Sequence, residues 1–187
     1  MSKQNILSAG ISLIPLSYIL GTFVLNINIL FIIISGFIIF YQGNRFKLIP
    51  LDKLIFLFFA YTIFTGTWNT IEGFYFENIK NYDFTISIKT LLFLRYLFFY
   101  LTIRLLIEKK LINYKIIFYS FSALSLFVSL DVILQFFNGK DIFGLTSPYL
   151  YRTTGPFYTE AIAGGFIQKF SFFFIFFFYT FYKNKKS

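Results

Sequence analysis

Five polar residues stand in or beside apolar runs: Arg95, Asp131, Gln135, Arg152 and Lys169. Asp131 and Gln135 are four residues apart, so in a helix they share a face one turn apart. Arg152 opens the segment Arg-Thr-Thr-Gly-Pro-Phe, and Lys169 lies inside the next apolar run. Charge inside a bilayer is costly and is usually kept for a task. The chemistry on offer is anion recognition. A guanidinium presents a planar fork that suits phosphate oxygens. Gly155-Pro156 turns the backbone and lets neighbouring N–H groups approach a ligand. The chain has no His and no Cys. That excludes thiol chemistry, a His general base and the usual zinc sites, so no metal and no cofactor are expected.

The elements that position these residues follow from composition. The chain of 187 residues is 57% hydrophobic and only 13% charged, with a mean hydropathy of +0.71. Those values predict an all-α, polytopic transmembrane bundle rather than a soluble domain. A helix needs ~20 residues to cross a bilayer. Six spans are expected as a single transmembrane domain, near 6–24, 28–41, 54–69, 88–107, 116–137 and 161–182. The second is short, and its boundary at Asn26-Ile27-Asn28 is the least defined. Loops 70–87 and 138–160 then share one side of the membrane.

The basic residues orient the spans. With a cytoplasmic N-terminus, the inner segments hold Lys3, Arg45, Lys47, Lys53, Arg104, Lys109, Lys110, Lys115, Lys183, Lys185 and Lys186. The outer loops hold fewer cations and five acids: Glu72, Glu77, Asp83, Asp141 and Glu160. This bias sets both termini inside. It also accounts for the net charge of +9 as a topology signal, so nucleic acid is not an expected partner.

In that orientation Arg95 and Asp131 both lie roughly 10 Å below the outer boundary, and Lys169 roughly 12 Å, at 1.5 Å of rise per residue. Two readings are open. Arg95 and Asp131 form a structural ion pair that locks two helices, with Gln135 in support. Or the layer floors a polar cavity open to the outside, in which the extra cation, Lys169, wants an anionic ligand or snorkels outward. Arg152, in the loop, is a cation for phosphate in the second reading and a solvated charge in the first. Ser122, Ser125 and Ser129 form a stripe expected to serve helix contact.

Three segments together resemble bacterial O-antigen ligases and O-antigen polymerases. The first is Asp131 and Gln135 followed by Gly139-Lys140-Asp141-Ile142-Phe143-Gly144. The second is Arg152-Thr153-Thr154-Gly155-Pro156-Phe157, and the third is Gly164-Gly165-Phe166-Ile167-Gln168-Lys169-Phe170. Leu13-Ile14-Pro15-Leu16-Ser17 and Leu94-Arg95-Tyr96 add to the likeness. The resemblance implies a metal-independent glycosyltransferase of lipopolysaccharide biosynthesis in the bacterial inner membrane. Its donor would be a glycan on undecaprenyl diphosphate. Its acceptor would be lipid A–core or a second lipid-linked glycan. By the motif, Arg152 and Lys169 would bind the diphosphate. Family members carry about twice as many spans and a catalytic His in their second half. By the resemblance the chain is expected to correspond to an amino-terminal half, with a second polypeptide supplying the rest.

Two other classes fit the pattern less well. A transporter or flippase would place its polar layer near the midplane and tends to show repeated halves. A non-catalytic membrane subunit would use these charges only to hold helices together. Orientation is directly testable. A Cys placed at Thr146 should react with an impermeant thiol reagent from the periplasmic side; labelling only after permeabilisation would invert the topology.

Overall fold

Long runs of Phe, Ile and Leu form helices in an apolar solvent because only a helix satisfies all its backbone groups within one segment. A computed structural model of the chain describes residues 3–41, 48–76, 84–158 and 160–185, and among them it has no strand. The helices are α1 (Lys3–Ser12), α2 (Ile14–Ile19), α3 (Thr22–Tyr41), α4 (Pro50–Phe76), α5 (Thr85–Glu108), α6 (Tyr114–Asn138) and α7 (Ala163–Lys185). A single 3-10 turn, Gly155–Phe157, lies between α6 and α7. Four of these helices carry stretches long and apolar enough to cross a membrane: Thr22–Tyr41, Pro50–Glu72, Thr85–Glu108 and Tyr114–Asn138. In α7 the apolar stretch is shorter, Ala163–Phe176.

The first expected span differs from what forms. Residues 6–24 are not one helix. Pro15 has no N–H for the carbonyl of Ile11, and its ring crowds that turn, so α1 and α2 meet at Leu13. Gly21 then takes φ +109 and separates α2 from α3. A Cβ on Gly21 would meet nothing within 4 Å, so conformation and not space calls for glycine here. The boundary expected at Asn26–Asn28 is absent, because α3 runs through it. Asn28 is accommodated by donating to Ser17 Oγ at 2.9 Å. Helix α4 extends to Phe76, into the stretch expected as an outer loop; residues 77–83 of that loop lie outside the described residues.

The chain packs as two compact units, Met1–Phe31 with Lys110–Ser187, and Ile32–Lys109. In the first, α6 packs on α7, α1 and α2. An aromatic seam joins α6 to α7: Phe121 lies 5.2 Å from Phe170 and 4.7 Å from Phe173 between ring centroids, both edge-on. Offset and edge-on aromatic pairs contribute roughly 0.5–1.5 kcal/mol beyond area burial. Polar stitches fix α1 beside α6. Ser8 Oγ accepts from the Asn113 N–H at 2.7 Å, and Ser120 Oγ donates to the Ser12 carbonyl at 2.7 Å. Of the expected serine stripe, Ser122 and Ser125 are buried, while Ser129 Oγ turns back to the Ser125 carbonyl at 2.8 Å.

The second unit holds α4, α5 and the last part of α3. Small residues set its spacing. A Cβ on Gly66 of α4 would stand 2.3 Å from Thr90 Oγ1 and 2.5 Å from its Cγ2 on α5. One turn on, Thr70 and Ser87 hydroxyls bond at 2.7 Å. Buried Asp52 accepts from the Ile49 N–H at 2.8 Å, closing the first turn of α4, and from Tyr100 of α5 at 2.5 Å. Arg104 Nε stands 3.9 Å from the same carboxylate, and its Nη1 is 3.1 Å from Glu108. Gly66→Ala should therefore destabilise the protein by about 1–3 kcal/mol through overpacking. Adding Thr90→Ala should recover part of the loss. Thermal unfolding in detergent checks this, and a Gly66→Ala protein as stable as the parent would contradict the close approach.

Candidate functional site

The carboxyl end of α6 is where most of the sequence's candidates meet. Gly139, at φ +72, ends the helix with its N–H on the Gln135 carbonyl at 2.8 Å, the usual left-handed stop. The chain then folds back along the helix that it has just left. The side chains of Asp131 and Gln135 are buried and receive it. Asp131 Oδ1 accepts from the Ile142 N–H at 2.7 Å. Gln135 Oε1 accepts from the N–H groups of both Thr154 and Gly155 at 2.8 Å. Gln135 Nε2 donates to Thr154 Oγ1 at 3.3 Å.

Within the loop, Asp141 builds its own turn. Its Oδ1 accepts from the N–H groups of Phe143 at 3.0 Å and Leu145 at 2.6 Å, while its N–H donates to the Leu145 carbonyl at 2.9 Å. This is an Asx-type turn, which explains an Asp two residues after the helix stop. Further on, Ser147 Oγ donates to the Arg152 carbonyl. Gly155 has φ +54, and a Cβ there would come within 2.9 Å of Val132 Cγ2 and 3.7 Å of Asp131 Oδ2. Here glycine is required twice, for its dihedral and for close passage over α6. Asp131 Oδ2 is buried and has no hydrogen-bond partner among the described residues.

Past Gly155 the loop is pinned by aromatic packing. Phe157 is buried between Tyr18 of α2, at 6.1 Å, and Phe166 of α7, at 5.4 Å. Lys169, one turn beyond Phe166, places its Nζ 5.5 Å from the Tyr18 ring centroid. That is within the ~6 Å range of a cation–π contact. Lys169 is nevertheless exposed, and so is Arg152. Among the described residues neither cation forms an ion pair with a carboxylate.

The five candidates thus divide. Asp131 and Gln135 act together, as receivers of the loop that carries Arg152. Arg152 stands exposed on that loop, and Lys169 on the helix that follows it. Arg95 belongs to the other unit, where its Nη2 meets the Tyr96 hydroxyl at 3.1 Å and its guanidinium lies over the same ring at 4.9 Å. The Arg95–Asp131 ion pair remains an expectation from the sequence. Sequence reasoning missed Asp141 and Thr154 as loop builders, although Gly-Lys-Asp after a helix is a turn signal. It also missed Asp52, whose place three residues after Ile49 and two after Pro50 is a helix-start signature.

Compared with family models, curated proteins and solved structures, the chain finds no match. The fold therefore defines the class by itself: an all-helical protein with four described helices long and apolar enough to cross a membrane.

Gln135→Ala should be the most damaging small change in this region. It strands the N–H groups of Thr154 and Gly155 in a buried place, at about 1–3 kcal/mol for each. Gln135→Glu keeps an acceptor for both. Thermal unfolding should rank Gln135→Ala well below Gln135→Glu, and equal stability of the two would remove the anchoring role.

Proposed function

We propose that this chain is a multi-pass protein of the bacterial inner membrane, of the O-antigen ligase or polymerase type, that binds a glycan carried on undecaprenyl diphosphate at its outer face. The kinked pair α1–α2 makes the first of six crossings, and both termini are cytoplasmic. The observation that carries the reading is the pairing of a fixed loop with exposed cations. Arg152 and Lys169 are exposed and unmatched by carboxylates among the described residues, while the segment between them is held by buried hydrogen bonds and an aromatic plug. Exposed cations on a preorganised backbone suit a diphosphate, whose oxygens accept charge-assisted bonds. The Arg152–Phe157 segment and the Gly164–Phe170 segment that holds Lys169 are also among those that resemble the family.

The chemistry follows from charge. An acceptor hydroxyl attacks the anomeric carbon of the donor sugar, the bond from that carbon to the phosphate oxygen breaks, and the lipid diphosphate leaves with added negative charge. Cations placed where that charge develops lower the barrier. Arg152 and Lys169 fill this role, and lipid A–core or a second lipid-linked glycan is the acceptor. The hydroxyl proton passes to a base, which the reading assigns to the second polypeptide, since this chain has no His.

Binding of radiolabelled undecaprenyl-diphosphate glycan to the purified protein tests the reading. Arg152→Ala and Lys169→Ala should each weaken binding about tenfold or more, the size of a lost hydrogen bond to a charged group. Lys89→Ala, an exposed cation outside every segment that carries the resemblance, should leave it unchanged. Undiminished binding in both motif variants would contradict the assignment.

A further inference from the structure

The second unit carries a cavity that the glycan reading does not use. It has a volume of about 340 Å³ and is lined by Gly36, Phe37 and Phe40 of α3, Leu48, and Phe98, Leu101, Thr102 and Leu105 of α5. Thr102 is the one polar side chain in that lining, and it is buried against Gly36. The size is at the low end for small-molecule sites, which run ~300–1,000 Å³. Its shape follows the helices: Phe98 to Leu105 is seven residues, roughly 10 Å along α5. An apolar slot of that length, parallel to a membrane helix, suits part of one hydrocarbon chain and offers nothing to a polar ligand.

One end of the slot is different. Lys109 lies four residues beyond Leu105 and eight beyond Leu101, so it continues the lining stripe by one turn. It is half-buried at the C-cap of α5. Leu48, which also lines the slot, leads into the first turn of α4, where Lys53 is exposed. Helix ends of this kind sit at the headgroup layer, where a basic residue attracts anionic lipid. Arg104 is already engaged by Asp52 and Glu108, so among the described residues Lys109 and Lys53 are the cations placed for a headgroup.

We infer that this slot is a binding site for one acyl chain of an anionic phospholipid, with its phosphate at Lys109 and Lys53. The site is independent of Arg152 and Lys169 and of the glycan they are proposed to bind. It needs only that α3 and α5 span the membrane. Occupancy fills the gap between α3 and α5 that Gly36 and Thr102 leave open beside their own contact.

The test uses the full chain in phosphatidylcholine vesicles. Trp68 is the single tryptophan. In a Trp68→Phe background, Phe98→Trp places a fluorescent reporter in the slot. Vesicles then receive the same small fraction of brominated phosphatidylglycerol or brominated phosphatidylcholine. Phosphatidylglycerol should quench with about fivefold or more higher apparent affinity, since each basic residue's attraction for an anionic headgroup is about fivefold; Lys109→Gln together with Lys53→Gln should abolish that preference. Leu101→Trp serves as a second reporter if Phe98→Trp does not fold. Equal quenching by both lipids, or a preference that survives the double substitution, would overturn the proposal. So would absence of quenching by either lipid, which would mean that a second copy of the chain covers the slot.

Discussion

Three backbone N–H groups, those of Ile142, Thr154 and Gly155, end on two side chains of one helix. The constraint behind this is severe. A loop that leaves a membrane helix and folds back beside it takes its amides away from water, and an unsatisfied buried amide costs about 1–3 kcal/mol. Asp131 and Gln135 supply the acceptors at one-turn spacing. Because Gln135 serves two consecutive amides with one oxygen, the backbone around Thr154 has little freedom. Arg152, two residues earlier, inherits that order.

The rest of the first unit is consistent with this anchor. Gly155 must lack a side chain to pass over Val132 and Asp131. Phe157 can then reach the space between Tyr18 and Phe166, and that ring contact connects the loop to α2 and α7 at once. The same aromatic seam continues down α7 to Phe170 and Phe173 against Phe121. Lys169 rides on the outside of the seam, near the Tyr18 ring. Buried polarity and aromatic packing therefore fix opposite ends of one segment, and they leave the cations at its edges exposed. The proposed diphosphate ligand would meet its cations there. The arrangement also places the buried Asp131 side chain beneath the loop, where one oxygen accepts the Ile142 amide and neither exposed cation forms an ion pair with it.

The helical class was legible from composition, because long apolar runs with few charges have one structural solution in a bilayer. Span boundaries were legible where chemistry marks them, as at Asn113, whose side chain caps α6, and Gly139, which ends it. They were misread near the N-terminus. There Asn26 and Asn28 look like a boundary, yet Asn28 is satisfied by Ser17 inside the structure, and the true break is at Gly21 with its positive φ. The shared face of Asp131 and Gln135 was readable from spacing alone. Their partners were not, since a loop amide carries no mark in sequence; an acid in an apolar helix suggested a cation instead. The Asp52–Tyr100 bond joins residues 48 apart, and no local pattern announces it.

The central claim is that Asp131 and Gln135 hold the Arg152 loop as an ordered structure on α6. Residue-resolved amide hydrogen exchange tests it most directly, on the protein in detergent or nanodiscs. The N–H groups of Ile142, Thr154 and Gly155 should exchange slowly, at rates close to those of the α6 backbone. The neighbouring amides of Leu150 and Tyr151, which are exposed loop residues, should exchange fast. Exchange of Thr154 and Gly155 as fast as Leu150 would contradict the account.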